Sequence, residues 1–182
     1  MKVMEHQPPK VAHMGQRDKV IFLAGPIQGA PDWQAEAVHI FKNSSSKQEA
    51  LHICNPRRSE LPENFDYQQQ VAWEKAYLMR SAQLGTIAFW FAARDFKLPY
   101  PEDRSYAQTS RVEFGRALGW KDRDPSIQIS LGIEPGYSGS EKYFKTCADE
   151  FDLPVFATLE ETCLSALALA TQIKALNESK IS

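Results

Sequence analysis

Cysteine is scarce in this chain. The three residues, Cys54, Cys147 and Cys163, show no CxxC spacing, which excludes a disulfide scaffold and a cysteine zinc site and fits a reducing, cytoplasmic setting. His6, His13, His39 and His52 are equally isolated, without HExxH or any paired-ligand spacing, so no catalytic metal is expected. An excess of one charge is also lacking. With 21 Lys+Arg against 23 Asp+Glu, the net charge is −2, too balanced for a surface that coats a nucleic-acid polymer or an anionic membrane. A local basic pocket remains open. No apolar run is long enough to span a bilayer. Residues 1–18 lack the apolar stretch of a signal peptide and read as a flexible leader, leaving residues 19–182 as one domain. Nine glycines and eleven prolines exclude a collagenous or low-complexity chain.

What is present is an alternation. Short apolar runs at Val20–Ala24, Leu51–Asn55, Thr86–Phe91, Ile127–Ile133 and Val155–Ala157 read as strands. Each precedes a helix-length segment: Trp33–Phe41, Phe65–Ala82, Ser110–Trp120, Glu141–Phe151 and Leu159–Leu176. Continuous runs such as VIFLA and IAFWF suit strands covered on both faces. Five βα units predict a doubly wound α/β domain with a five-stranded parallel sheet. Prolines fall between the elements, where they break no helix. Thr158-x-x-Glu161 forms a capping-box pattern ahead of an apolar SALALA segment, which is buried either in the core or against another subunit. Ligands of such sheets collect at the carboxyl ends of the strands. That directs attention to the loops 25–31, 55–64, 92–109 and 134–140, the third long enough to act as a lid.

The first loop, AGPIQGAPDW, carries Gly25, Pro26, Ile27, Gln28 and Gly29 ahead of a helix N-terminus. It reads as an anion- or sugar-binding turn, or as a plain βα connection. It is neither a Walker loop nor GxGxxG. In TSRVEFGRALG, Ser110-x-x-Glu113 reads as a second capping box, or Glu113 points into the crevice. Gly115 and Gly119 weaken that helix, which makes sense if it approaches a strand or ligand closely. Glu74 lies within an apolar stripe of Tyr67, Val71, Leu78 and Ala82, where partial desolvation would raise its pKa and equip it as a general acid. A solvated face, or pairing with an arginine, is the alternative. Asn55-Pro56-Arg57-Arg58 offers guanidinium groups for a phosphate or is simply a solvated loop. Trp33, Trp73 and Trp90 are base-stacking surfaces or core.

In this order, IFLAGPIQGAPDW, NPRR, VAWEKAYL with IAFWF, and SRVEFGRALGW resemble the nucleoside 2-deoxyribosyltransferase-like superfamily, over roughly Val20 to Leu159. The branch that matches best is the bacterial deoxyribosyltransferase-like one, related to the 2'-deoxynucleoside 5'-monophosphate N-hydrolases. The resemblance implies a three-layer, flavodoxin-like (Rossmann-like) fold and cofactor-free cleavage of an N-glycosidic bond in a nucleoside or nucleotide. It implies that Glu113, followed by Gly115 and Ala117, is the nucleophile forming a glycosyl-enzyme, and that Glu74 is the second carboxylate, where relatives usually have Asp. Gly25, Pro26, Ile27, Gln28 and Gly29 would hold the sugar or its phosphate, with Trp33, Asn55, Arg57, Trp90, Thr109 and Ser110 as further substrate contacts. Relatives place Asp or Ser six residues before the nucleophile for the 5' group; here that residue is Ala107, with Gln108, Thr109 and Ser110 the nearest polar substitutes. Relatives also complete each site with a neighbouring subunit, so a homo-oligomer is expected. The sugar passes to another base in a transferase, or to water in a hydrolase. The alternative is a non-catalytic nucleotide-binding module on the same fold.

Overall fold

The structure is a computed structural model that describes residues 2–15, 18–44, 50–60, 62–139 and 141–179. Its elements are β1 (Lys2–His6), β2 (Lys19–Ala24), α1 (Trp33–Ser44), β3 (Ala50–Cys54), α2 (Tyr67–Leu84), β4 (Thr86–Phe91), α3 (Gln108–Arg123), β5 (Gln128–Ile133), α4 (Glu141–Asp149), β6 (Val155–Phe156) and α5 (Leu159–Ser179). The strands form one sheet in the order β1-β3-β2-β4-β5-β6, every pairing parallel. The result is a three-layer, flavodoxin-like α/β/α arrangement.

Burial explains the sequence pattern. All six residues of β2 and all six of β4 are buried, because helices cover both faces of the sheet centre. On β4 the alternation sends Phe89 and Phe91 to one face, where they meet Phe114 of α3, and Phe91 also meets Phe144 of α4. Trp90 goes to the other face, against Gly132, the glycine that Thr162 of α5 also crowds. The SALALA helix is core: α5 packs on β4, β5 and α1, with Cys163, Ala166 and Ala170 buried. Thr158 caps the helix as read, the Glu161 N–H donating to Thr158 Oγ1 at 3.2 Å, while Glu161 Oε2 accepts from the Thr158 hydroxyl at 2.7 Å rather than from its backbone N–H.

Two expectations fail. The sheet has six strands rather than five, and the sixth is β1, inside the stretch read as a flexible leader. Strand β1 is short, half-buried and polar, so its composition gave no strand signal. Its anchors come from remote residues. The Asn55 N–H donates to His6 O at 2.9 Å, and the His6 and His52 rings stack with Nε2···Nδ1 at 2.8 Å. Beyond β1, the Trp73 indole donates to Lys10 O and the Ala12 N–H to the Tyr77 hydroxyl, tying the segment to α2.

Candidate active site

Three of the four loops expected at the carboxyl edge meet around one cavity of about 490 Å³, whose walls are completed by α2 and the first turns of α3. The fourth, 134–140, does not border it. Instead Glu134 Oε2 accepts from the Ala93 N–H at 2.6 Å, anchoring the base of the segment from Ala92 to Ala107.

The floor is the 25–31 loop. A Cβ at position 25 would lie 2.2 Å from Trp90 O and 2.7 Å from Trp33 Cζ2, so only glycine lets this backbone pass. Gly29 has φ +70° and sits under Tyr100. The Trp33 indole donates to Pro26 O at 2.8 Å, and Arg57 Nη2 donates to the carbonyls of Ile27, Ala30 and Pro31. Asn55 Oδ1 accepts from the Arg57 N–H, which sets the turn that aims this arginine. Trp33, Asn55 and Trp90 are thus buried supports of the loop rather than cavity wall, and Gly29 also lies outside the lining. Gly25, Pro26, Ile27, Gln28, Arg57, Thr109, Ser110, Glu74 and Glu113 do border it.

Helix α2 begins at Asp66, whose Oδ1 accepts from the Gln68 and Gln69 N–H groups. The stripe read from the sequence divides. Leu78 and Ala82 are buried, whereas Tyr67 is 67% exposed and Val71 41%, and both flank the cavity. Trp73 and Tyr77 provide the core contact instead. Glu74 is therefore on a cavity wall, partly desolvated as expected, with its pKa raised by burial. Two groups oppose that rise. The Gln70 amide donates to Glu74 Oε1 at 2.7 Å, and the Arg58 charge acts from further off. Gln70 is held in turn: its amide also donates to Pro56 O, and Arg58 Nε donates to Gln70 Oε1 at 2.7 Å. The arginine reaches Glu74 through this relay rather than by a direct pair.

Helix α3 starts at Gln108, two residues before Ser110, with Ala107 as N-cap in the left-handed region at φ 56° and no side-chain cap. The expected Ser110–Glu113 capping box therefore does not form. Ser110 lies inside the first turn, and Glu113, one turn on, faces the cavity. Burial, then the Glu74 charge, push Glu113 up to about 8, with Arg116 pulling the other way. The Glu74 charge is thus one of the groups that hold the proton on Glu113. Gly115 and Gly119 do not bring the helix against anything: a Cβ at either would meet only open space.

Several cavity residues escaped the sequence reading. Gln70 had a signal, since Gln four residues before Glu on a helix places both on one face. Phe65, Tyr67, Tyr100, Arg104 and Arg116 carried none, because they line the cavity only once the loops are folded over it.

The carboxyl edge of an open parallel α/β sheet thus carries a cavity bordered by two carboxyl groups and several cationic side chains. The chain belongs to a family: residues 18–123 match the model of the nucleoside 2-deoxyribosyltransferase-like proteins, a span that contains both carboxylates. A comparison with curated proteins finds no match.

Proposed function

We propose that the protein cleaves the N-glycosidic bond of a nucleoside or nucleotide at the Glu113–Glu74 pair, with Glu113 as nucleophile and Glu74 as acid. The observation that carries this reading is the pair itself: two carboxyl groups bordering one cavity, both raised by burial, with the Glu74 charge raising Glu113 further. Near neutral pH such a pair holds one proton. Before substrate binds Glu113 keeps it, while Gln70 and Arg58 favour the charged form of Glu74. Positive charge developing at the anomeric carbon draws negative charge to Glu113, and the proton passes to Glu74. A Glu113 oxygen then bonds the anomeric carbon. The carbon–nitrogen bond breaks, its electron pair stays on the leaving nitrogen, and the proton from Glu74 neutralises the base. A second base or water displaces the ester and restores the pair. Retention places the two carboxyl groups roughly 5–5.5 Å apart in the working complex.

A homo-oligomer fits this site, since Tyr67, Val71 and Val112 stand exposed at its mouth where a second copy would exclude water. The described cysteines are all free, and among the described residues no helix is long and apolar enough to cross a membrane, in keeping with a cytoplasmic enzyme. The test is incubation with nucleosides and nucleotides, with and without added free bases, followed by chromatography of the bases. Release or exchange of base that disappears in Glu113→Gln is expected. Full turnover in that variant would refute the nucleophile assignment. The rival reading, a binding module without turnover, is favoured by Ala107, which offers no polar group for the sugar's 5' end; binding without base release over hours would establish it.

A further inference from the structure

We infer that strand β1 belongs to the active-site apparatus: Glu5 is a positioning residue that acts through Asn55 and Arg57 on the glycine loop flooring the cavity. This rests on the proposed reaction for what the cavity does, and not for how the loop is held.

Asn55 is the junction. It is only 3% exposed and follows β3 directly, beside the end of β1. Its backbone N–H donates to His6 O at 2.9 Å, and its Nδ2 donates to Glu5 Oε1 at 2.7 Å. Gln7 Nε2 donates to the same carboxylate oxygen at 3.0 Å, which holds it in place. On the other side, Asn55 Oδ1 accepts from the Arg57 N–H at 2.9 Å. The two ends of one planar amide are thus committed to opposite tasks. A carboxylate only accepts and a backbone N–H only donates, so the pair fixes which way the amide faces. Removing the carboxylate leaves a buried Nδ2 unmet, and the amide must turn or its segment shift to satisfy it. The ladder with β3 already joins β1 to the sheet. The Glu5 side chain therefore adds a link that serves the 55–57 segment rather than the strand.

That segment carries both halves of the site. Arg57 Nη2 clamps the carbonyls of Ile27, Ala30 and Pro31, while its Nε donates at 2.8 Å to Oε1 of the fully buried Gln34, fixing the guanidinium against the start of α1. The clamped loop borders the cavity through Gly25, Pro26, Ile27 and Gln28. It passes the constraint on, since the Asp95 N–H donates to Gly29 O at 2.8 Å and Arg104 Nη1 to Gln28 Oε1 at 3.0 Å. Pro56, between Asn55 and Arg57, accepts from Gln70 Nε2, the group that also donates to Glu74. A shift at Asn55 therefore reaches the cavity floor and the acid together.

The test compares Glu5→Ala, Glu5→Gln and Val3→Ala in the full chain. Val3 is half-buried against the core, so truncating it weakens β1 without touching Asn55. One readout is the Trp33 indole signal by nitrogen-15 NMR without ligand, since that N–H donates to Pro26 O in the loop. The other is KM and kcat for base release from a 2'-deoxynucleoside. Glu5→Ala is expected to move the indole signal and raise KM about tenfold with kcat within about threefold, because the loop holds ground state and transition state alike. Glu5→Gln keeps an accepting oxygen and should restore both readouts. Val3→Ala should lower stability in urea and leave both at the parent values. An unmoved signal in Glu5→Ala, an unmoved KM where base is released, or equal changes in Val3→Ala would each overturn the inference. A signal moved by Glu5→Ala alone, with no base release even in the parent, upholds the positioning role and refutes the glycosidic reaction. Base release with an unmoved signal upholds the reaction and refutes the role.

Discussion

Replacing Glu113 by Gln should abolish turnover and at the same time make the fold more tolerant of alkali. The unfolded chain releases this proton near the ordinary value of 4.5, whereas the folded protein holds it up to about 8. Because the folded-state value is the raised one, stability is complete below 4.5 and is lost as pH climbs towards 8. Each pH unit inside that window costs about 1.4 kcal/mol. Between pH 5.5 and 7.5 the parent should therefore lose about 2.7 kcal/mol that a neutral, nearly isosteric glutamine does not lose. Urea denaturation followed by tryptophan fluorescence, on both proteins at both pH values, measures it. A stability gap that stays constant between the two pH values means that Glu113 titrates like a solvated carboxylate, and the paired, desolvated site is wrong.

Gln70→Leu removes the amide that favours charged Glu74, so the Glu74 midpoint should move upward, read by carbon-13 NMR of labelled glutamate side chains; an unchanged midpoint would show the relay to be incidental. Gly25→Ala drives a methyl into Trp90 O and Trp33 and should cost about 3 kcal/mol in urea denaturation, whereas Gly115→Ala meets open space on a helix and should stabilise by about 0.5–1 kcal/mol. A loss from Gly115→Ala, with altered sedimentation, would place a second copy against α3. Burial holds both His6 and His52 below the usual histidine range; the His52 ring lowers His6 further against Glu5, and Arg80 lowers His52 further against Asp18. Stability should then fall as pH drops below 6.5, less steeply in His6→Asn, by the same denaturation assay.

The βα alternation was legible because buried parallel strands need continuous apolar runs, and VIFLA and IAFWF supply them. Strand β1 was not, since its stability comes from His52 and Asn55, some fifty residues away, and no local pattern reports such partners. Glu74 was found as a polar break in an apolar stripe, only half of which is core. Periodicity locates a shared face and not what covers it. The tryptophans were the opposite case. Trp33 and Trp90 support the loop from beneath, and the aromatic groups that border the cavity, Phe65, Tyr67 and Tyr100, come from loops and a helix start.

The arginine pair and the serine–glutamate pair show where a linear reading stops. Arg57 and Arg58 are adjacent in the chain, and successive side chains in an extended turn diverge. One braces three carbonyls of the glycine loop, and the other enters the relay to Glu74, leaving its Nη2 buried without a partner among the described residues. Ser110-x-x-Glu113 satisfies the capping pattern to the letter. Whether it caps depends on where the helix starts, and that is set by Tyr106 and Ala107. The Tyr106 hydroxyl donates to Ala92 O, its carbonyl accepts from Arg111 Nη2, and Ala107 adopts a left-handed conformation that costs roughly 1–2 kcal/mol for a residue with a Cβ. Capping the helix three residues earlier, at Ala107, moves Ser110 from cap to first turn and turns Glu113 to the cavity. The strain at Ala107 is thus tied to the geometry that frees both side chains for a ligand, and a glycine there, relieving the strain without moving the helix start, should raise stability and leave the pair in place.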